Sequence, residues 1–222
     1  MTQVVSSLPP LALLWLGLAL GLRHAADPDH VVAVGAIGAR TRRLWPAMQL
    51  GLVWGLGHTL TLFIVASGII LFHWVVPPRL GLGMEFAVAV ALVIVGLSNV
   101  SAHRHEGASP NIRSARRAFA VGLVHGLAGS AAVALLVVAT TPDPAWACAY
   151  LLVFGFGTLL GMTLITTGLA LPIITASRRW NVGDRVVRTS TGTLSVAMGL
   201  WLAFQIGWTD GLFLATPLWT PR

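Results

Sequence analysis

An all-α, polytopic membrane helix bundle of about six transmembrane helices is predicted for this chain by three observations. Apolar residues fill 56% of the 222 positions and charged residues only 9%, a balance that water does not solvate as a globule of this length. The apolar residues gather into runs long enough to cross about 30 Å of hydrocarbon. Arginine supplies the whole Lys+Arg count of 14, and most of the arginines lie between those runs in alternate loops. Helices follow from the solvent, because unpaired backbone groups are not tolerated in hydrocarbon.

A single transmembrane domain is expected over residues 1–222, with spans at about 11–39, 46–72, 81–102, 117–141, 146–176 and 189–208. Polar or proline-rich breaks separate them, among them Arg40, Arg42 and Arg43, then Pro77 and Pro78, then Pro142 and Pro144. Arg40, Arg42, Arg43, Arg104, Arg113, Arg116, Arg117, Arg178, Arg179, Arg185 and Arg188 all fall on one side. The positive-inside rule makes that side cytoplasmic, which places the chain in the cell inner (cytoplasmic) membrane with both termini outside the cytoplasm. The run at 11–22 has the length of a signal-peptide core. No positive charge precedes it, and cleavage would spoil the loop alternation, so a retained helix is expected. The lipid bilayer is the expected partner and nucleic acid is not, because the arginines form no patch. Cys148 stands alone, which excludes an intramolecular disulfide and a multi-cysteine site. No prosthetic group is expected.

The first span carries Arg23, His24, Asp27, Asp29 and His30 within RHAADPDH, between two apolar stretches. Each Arg or Asp at a helix centre costs about 2.5–3.5 kcal/mol even on the gentler insertion scales, so the cluster implies partners or a purpose. His24, Asp27 and His30 are three apart and share a helix face, whereas Asp29 points elsewhere. Pro28 is expected to break the helix, swing Asp29 inward and free the His24 carbonyl as a further ligand. Arg23 and Asp27, four apart, are expected to form an ion pair, since a guanidinium cannot ligate a cation.

The second span brings His58 in GLVWGLGHTLTL. At 1.5 Å per residue it lies about 18 Å from the cytoplasmic end of its span, and His24 about 20 Å from the outer end of the first, so the two are expected to meet near mid-membrane. Gly51, Gly55 and Thr61 leave room for a neighbouring backbone. The fourth span brings His125 in GLVHGLAGSAA, which overlays the second span at Gly51/Gly122, Gly55/Gly126 and Leu56/Leu127 and hints at an internal repeat. Gly155, Gly157 and Gly161 of the fifth span read as close packing rather than as a nucleotide loop. Glu85 and Asn99 are weaker polar candidates, and residues 103–106 (HRHE) read as a solvated loop.

The candidate metal residues are therefore His24, Asp27, Asp29, His30, His58 and His125. Imidazole suits Ni, Co, Cu and Zn, carboxylates add compensating charge, and the absence of thiolates argues against a Cu(I) or cluster site. One neutral imidazole nitrogen is expected to bind the ion while the other is held by Asp27 or a backbone carbonyl.

These motifs resemble the nickel/cobalt transporter family. Its first signature, R-H-A-x-D-A-D-H followed by an aliphatic residue, stands here as Arg23-His24-Ala25-Ala26-Asp27-Pro28-Asp29-His30-Val31, and its L-G-H-[ST] signature as Leu56-Gly57-His58-Thr59. The resemblance implies that His24, Asp29, His30 and His58 belong to the metal site and that the divalent metal ion carried is Ni²⁺ or Co²⁺. The chain departs from the usual members in being shorter and in lacking their acidic L-G-x-D-T-A-T-E helix, and so looks like short relatives described as nickel permeases or urease-accessory membrane proteins. A permease moving the metal into the cytoplasm is expected. The alternatives are an exporter, a membrane accessory protein for nickel-enzyme maturation, and an intramembrane metal hydrolase. No H-E-x-x-H motif supports the last, and no enzyme activity is expected.

Overall fold

The computed structural model describes residues 9–38, 41, 43–72, 76–101, 112–127, 143–179 and 184–219. Among these, every regular element is helical: α1 (Pro10–His24), α2 (Pro28–Gly38), α3 (Leu44–Phe72), α4 (Pro78–Ser101), α5 (Ile112–His125), α6 (Pro144–Arg179) and α7 (Asp184–Phe204), followed by a π-helical turn at Gln205–Thr209. Three stretches, Leu44–Gly68, Pro78–Ser101 and Ala145–Thr175, are long and apolar enough to cross a membrane. The chain is an all-α membrane helix bundle.

The first expected span is two helices. α1 opens with Pro10, whose missing N–H is no loss in a first turn. It closes when the Ala26 and Asp27 amides reach back three residues to the carbonyls of Arg23 (2.9 Å) and His24 (3.1 Å). Pro28 then starts α2 instead of interrupting α1, and the Asp27 carbonyl accepts the Val31 amide at 3.0 Å. This corrects the expectation of a freed His24 carbonyl: that oxygen is taken by the Asp27 amide as the chain tightens into the break. Asp29, in the first turn of α2, sits where the helix dipole favours a carboxylate. The fourth expected span is seen as α5, while its residues 128–141 and the loop at 103–106 lie outside the described residues.

Glycines set the helix packing. A Cβ on Gly21 would collide with the Phe154 carbonyl and one on Gly157 with the Leu18 carbonyl, so α1 and α6 touch backbone to backbone. Gly57 meets the Phe119 carbonyl and Gly122 that of Trp54, joining α3 to α5. Gly96 and Gly192 face each other's carbonyls between α4 and α7, where Ser195 also donates to the Leu92 carbonyl at 2.8 Å. Gly51 against Thr166 and Gly155 against Thr59 close α3 onto α6. The order of these contacts makes α1 parallel to α6 and α3 parallel to α5, with α3/α6 and α4/α7 antiparallel. Arg43, Arg113, Arg116 and Arg185 are exposed beside the starts of α3, α5 and α7, at one end of the bundle.

The outer surface is apolar and part of the interior is polar. Leu52, Leu56, Leu60 and Ile64 form an exposed row at four-residue spacing along α3, while four histidines, Thr158, Thr166 and Ser195 are buried. That inverts the pattern of a water-soluble bundle and suits lipid as the solvent. After the π-helical turn, Gly211 turns the chain with φ of 82°, a conformation that glycine adopts without strain. The tail then folds back on α4, where the Trp219 ring covers Gly81 and its Nε1 donates to Glu85 Oε1 at 2.9 Å. Glu85 is thereby an anchor for the C-terminal tail. Asn99 likewise ties helices together, donating from Nδ2 to the Ala36 carbonyl of α2.

Candidate metal site

Three elements deliver one imidazole each to a common point. His24 is the last residue of α1, His30 the third of α2, and His58 lies midway along α3. One ring nitrogen from each falls within 4.8 Å of the other two, and all three residues are buried. His24 Nε2 and His58 Nε2 are 3.0 Å apart. Two nitrogens bound about 2.0–2.1 Å from one tetrahedral ion stand roughly 3.3 Å apart, so this pair is close to ligating geometry as it stands. His125, from the last turn of α5, joins the cluster with its ring centroid 5.7 Å from that of His30.

The backs of the rings decide what the fronts offer. His24 Nδ1 donates to Asp27 Oδ2 and His30 Nδ1 to Asp29 Oδ1, each at 3.0 Å, and His125 Nδ1 donates to the Val121 carbonyl at 3.0 Å. An ionised carboxylate and a carbonyl only accept, so these three Nδ1 atoms carry the hydrogen and the three Nε2 atoms carry lone pairs. His30 Nε2 and His125 Nε2 are buried without a hydrogen-bond partner among the described residues. His58 differs. Its Nε2 must donate to the lone pair of His24, and its buried Nδ1 has no partner among the described residues. The cluster is thus three imidazoles in the tautomer that presents Nε2 and a fourth, His58, whose Nε2 must give up its hydrogen before that atom can ligate.

Asp27 and Asp29, expected among the metal residues, stand behind the imidazoles. Asp29 reaches its neighbour His30, and Asp27 reaches His24 in place of the expected partner Arg23, which is exposed on α1. The two carboxylates are less enclosed than the rings they hold, with 34% of the Asp27 and 17% of the Asp29 side chain exposed. Sequence reasoning missed two neighbours of the cluster, Trp54 and Phe154. Trp54 was legible in part, since it precedes His58 by one helical turn in GLVWGLGHT. Phe154 carries no comparable signal, because α6 meets α1 only in the folded bundle.

Fold and site together define a class of protein, a helical membrane protein built around a buried histidine cluster. Comparison with known proteins narrows it: the chain is 34% identical to the urease accessory protein UreH of Bacillus sp. (strain TB-90), over 219 aligned residues that cover 91% of this chain and 95% of the relative. The chain belongs to the family of that urease accessory protein. The relative is named for an accessory role. No family model matches the chain, and no solved structure matches it significantly.

Proposed function

We infer that the protein is a permease carrying a divalent transition metal, nickel first and cobalt second, across the inner membrane into the cytoplasm. The observation that carries the reading is the convergence of His24, His30 and His58 within 4.8 Å inside a membrane bundle. Buried imidazoles held by carboxylates from behind are the arrangement by which proteins orient ligands for nickel, cobalt, copper and zinc. Nickel is preferred because the relative is named for urease, a nickel enzyme. In this reading His24, His30 and His58 ligate the ion, His125 completes the set, and Asp27 and Asp29 orient the rings and balance charge.

Inward movement fits the energetics. Two positive charges crossing an inside-negative potential of 100 mV gain about 4.6 kcal/mol, enough for roughly a thousandfold accumulation without a coupled ion. The exposed arginines at the end where α3, α5 and α7 begin support placing that end in the cytoplasm.

The test is uptake of Ni²⁺, Co²⁺, Zn²⁺ and Mn²⁺ into liposomes holding the purified protein under an inside-negative potential. Wild type is expected to accumulate Ni²⁺ or Co²⁺, and His24→Ala and His58→Ala to lose that flux while keeping the fold. No flux of any metal from folded wild type would overturn the permease. The accessory reading, which the relative's name favours, would then be pursued through metal-independent co-purification with a soluble partner.

A further inference from the structure

The histidine cluster is closed on two sides by aromatic rings. Trp54 packs against His30 and His125, with ring centroids 5.5 Å apart in each case, and against His58 at 6.2 Å. Phe154 packs against His24 at 5.6 Å and is backed by Tyr150 at 6.4 Å. Trp54 and Phe154 are only 1% and 2% exposed, so both rings lie inside the bundle against the cluster. Trp54 lies ten residues after Leu44, the start of α3, and Phe154 ten after Pro144, the start of α6. At 1.5 Å per residue each ring is about 15 Å in from the start of its own helix. Because α3 and α6 run in opposite directions, the two rings face opposite ends of the bundle.

We propose that Trp54 and Phe154 are the two gates of the histidine site, Trp54 toward the end where α3 begins and Phe154 toward the end where α6 begins. The inference rests on the permease reading. A cargo ion must displace one ring to reach the imidazoles, and the other ring, left in place, prevents a continuous leak. The two gates differ chemically. The Trp54 Nε1–H is a buried donor with no acceptor among the described residues, an unfavourable state that turning toward the basic end would relieve by giving it water. Phe154 has no polar atom and gains nothing by such a turn. Neither backbone is free to follow its ring, since Gly122 lies against the Trp54 carbonyl and Gly21 against that of Phe154, with no room for a Cβ at either glycine. Each gate therefore opens by rotation of its side chain on a clamped backbone.

The proposal is tested with a thiol placed between the rings, His58→Cys in a Cys148→Ser background. Membrane vesicles of known orientation are treated on one side at a time with a membrane-impermeant methanethiosulfonate. With both rings in place, slow labelling is expected from either side. Trp54→Ala is expected to speed labelling by about tenfold or more from the end where α3 begins, and from that end alone, because the closed site is reached only through rare opening. Phe154→Ala is expected to do the reverse, and Trp54→Phe to keep the protection. Should Trp54→Ala fail to fold, Trp54→Leu carries the same expectation. Equal labelling from both sides, or protection unchanged in both gate variants, overturns the proposal. The readout needs no metal, so one-sided labelling here, alongside a wild-type protein that moves no nickel in the liposome assay, would refute the permease and leave the gates standing.

Discussion

Asp29 and His30 are adjacent residues with complementary roles: the carboxylate fixes which nitrogen of the ring holds the hydrogen, and the ring presents the other nitrogen to the cluster. Asp29→Asn is therefore expected to keep the fold and weaken Ni²⁺ binding by about 10–100-fold, the usual cost of losing such a partner, as read by equilibrium dialysis of the detergent-purified protein. His30→Ala is expected to abolish binding in the same assay. Acid acts on the same atoms. An imidazole must be neutral to ligate, so Ni²⁺ affinity is expected to fall as pH is lowered and to recover on return to neutrality, and an affinity indifferent to acid would count against histidine ligation. At this scale much was legible in the sequence. His24, Asp27, Asp29, His30 and His58 declared themselves by being ionisable where ionisation is costly. The aromatic neighbours were hidden by the opposite property, since Trp54 and Phe154 look like any other apolar side chain of a membrane helix.

Helices here make their closest approaches at glycine, as expected where lipid removes the hydrophobic drive for helices to associate. Gly157→Leu is expected to destabilise the protein by about 1–3 kcal/mol, because the new side chain must push the Leu18 backbone away and the site loses the α1/α6 contact. Gly83→Ala is the control. Nothing lies within 4 Å of a Cβ at that position, so it is expected to be neutral or to stabilise α4 by up to about 1 kcal/mol. Thermal loss of the helical signal in detergent compares the two. The glycines of α3 and α6 were read correctly as packing residues from their spacing alone. The break between α1 and α2 was placed at Pro28, but the helix gives way three residues earlier, because proline is well tolerated at the first position of a new helix and the chain can tighten before it. The tie between Trp219 and Glu85 was illegible, since it joins residues 134 positions apart.

The molecule as a whole makes its topology testable. In a Cys148→Ser background, cysteines at Ser7 and Thr220 are expected to react with an impermeant thiol reagent applied outside intact cells, and one at Ser109 only after the membrane is opened. Reaction of Ser109→Cys from outside would invert the orientation and with it the inward direction of transport. The alternation of arginines makes this arrangement an expectation of the sequence alone, because charge sidedness is written loop by loop and needs no tertiary contact.

The packing also divides the site between two bodies. α1, α3, α5 and α6 are joined by close glycine contacts and carry His24, His58 and His125, whereas α4 and α7 form a second closely packed pair. His30 rides on α2, set off from α1 by the break, tied to the second pair through Asn99 and packed on α6 of the first through Gly38 against Thr166. If the bodies rock, α2 lies on the seam between them, so His30 is the imidazole whose place relative to the other three can change. A metal held by all four would be loosened by that movement while its way out still waits on the turn of one aromatic ring, so handover would depend on the placement of one ligand and not on any weakness in the others.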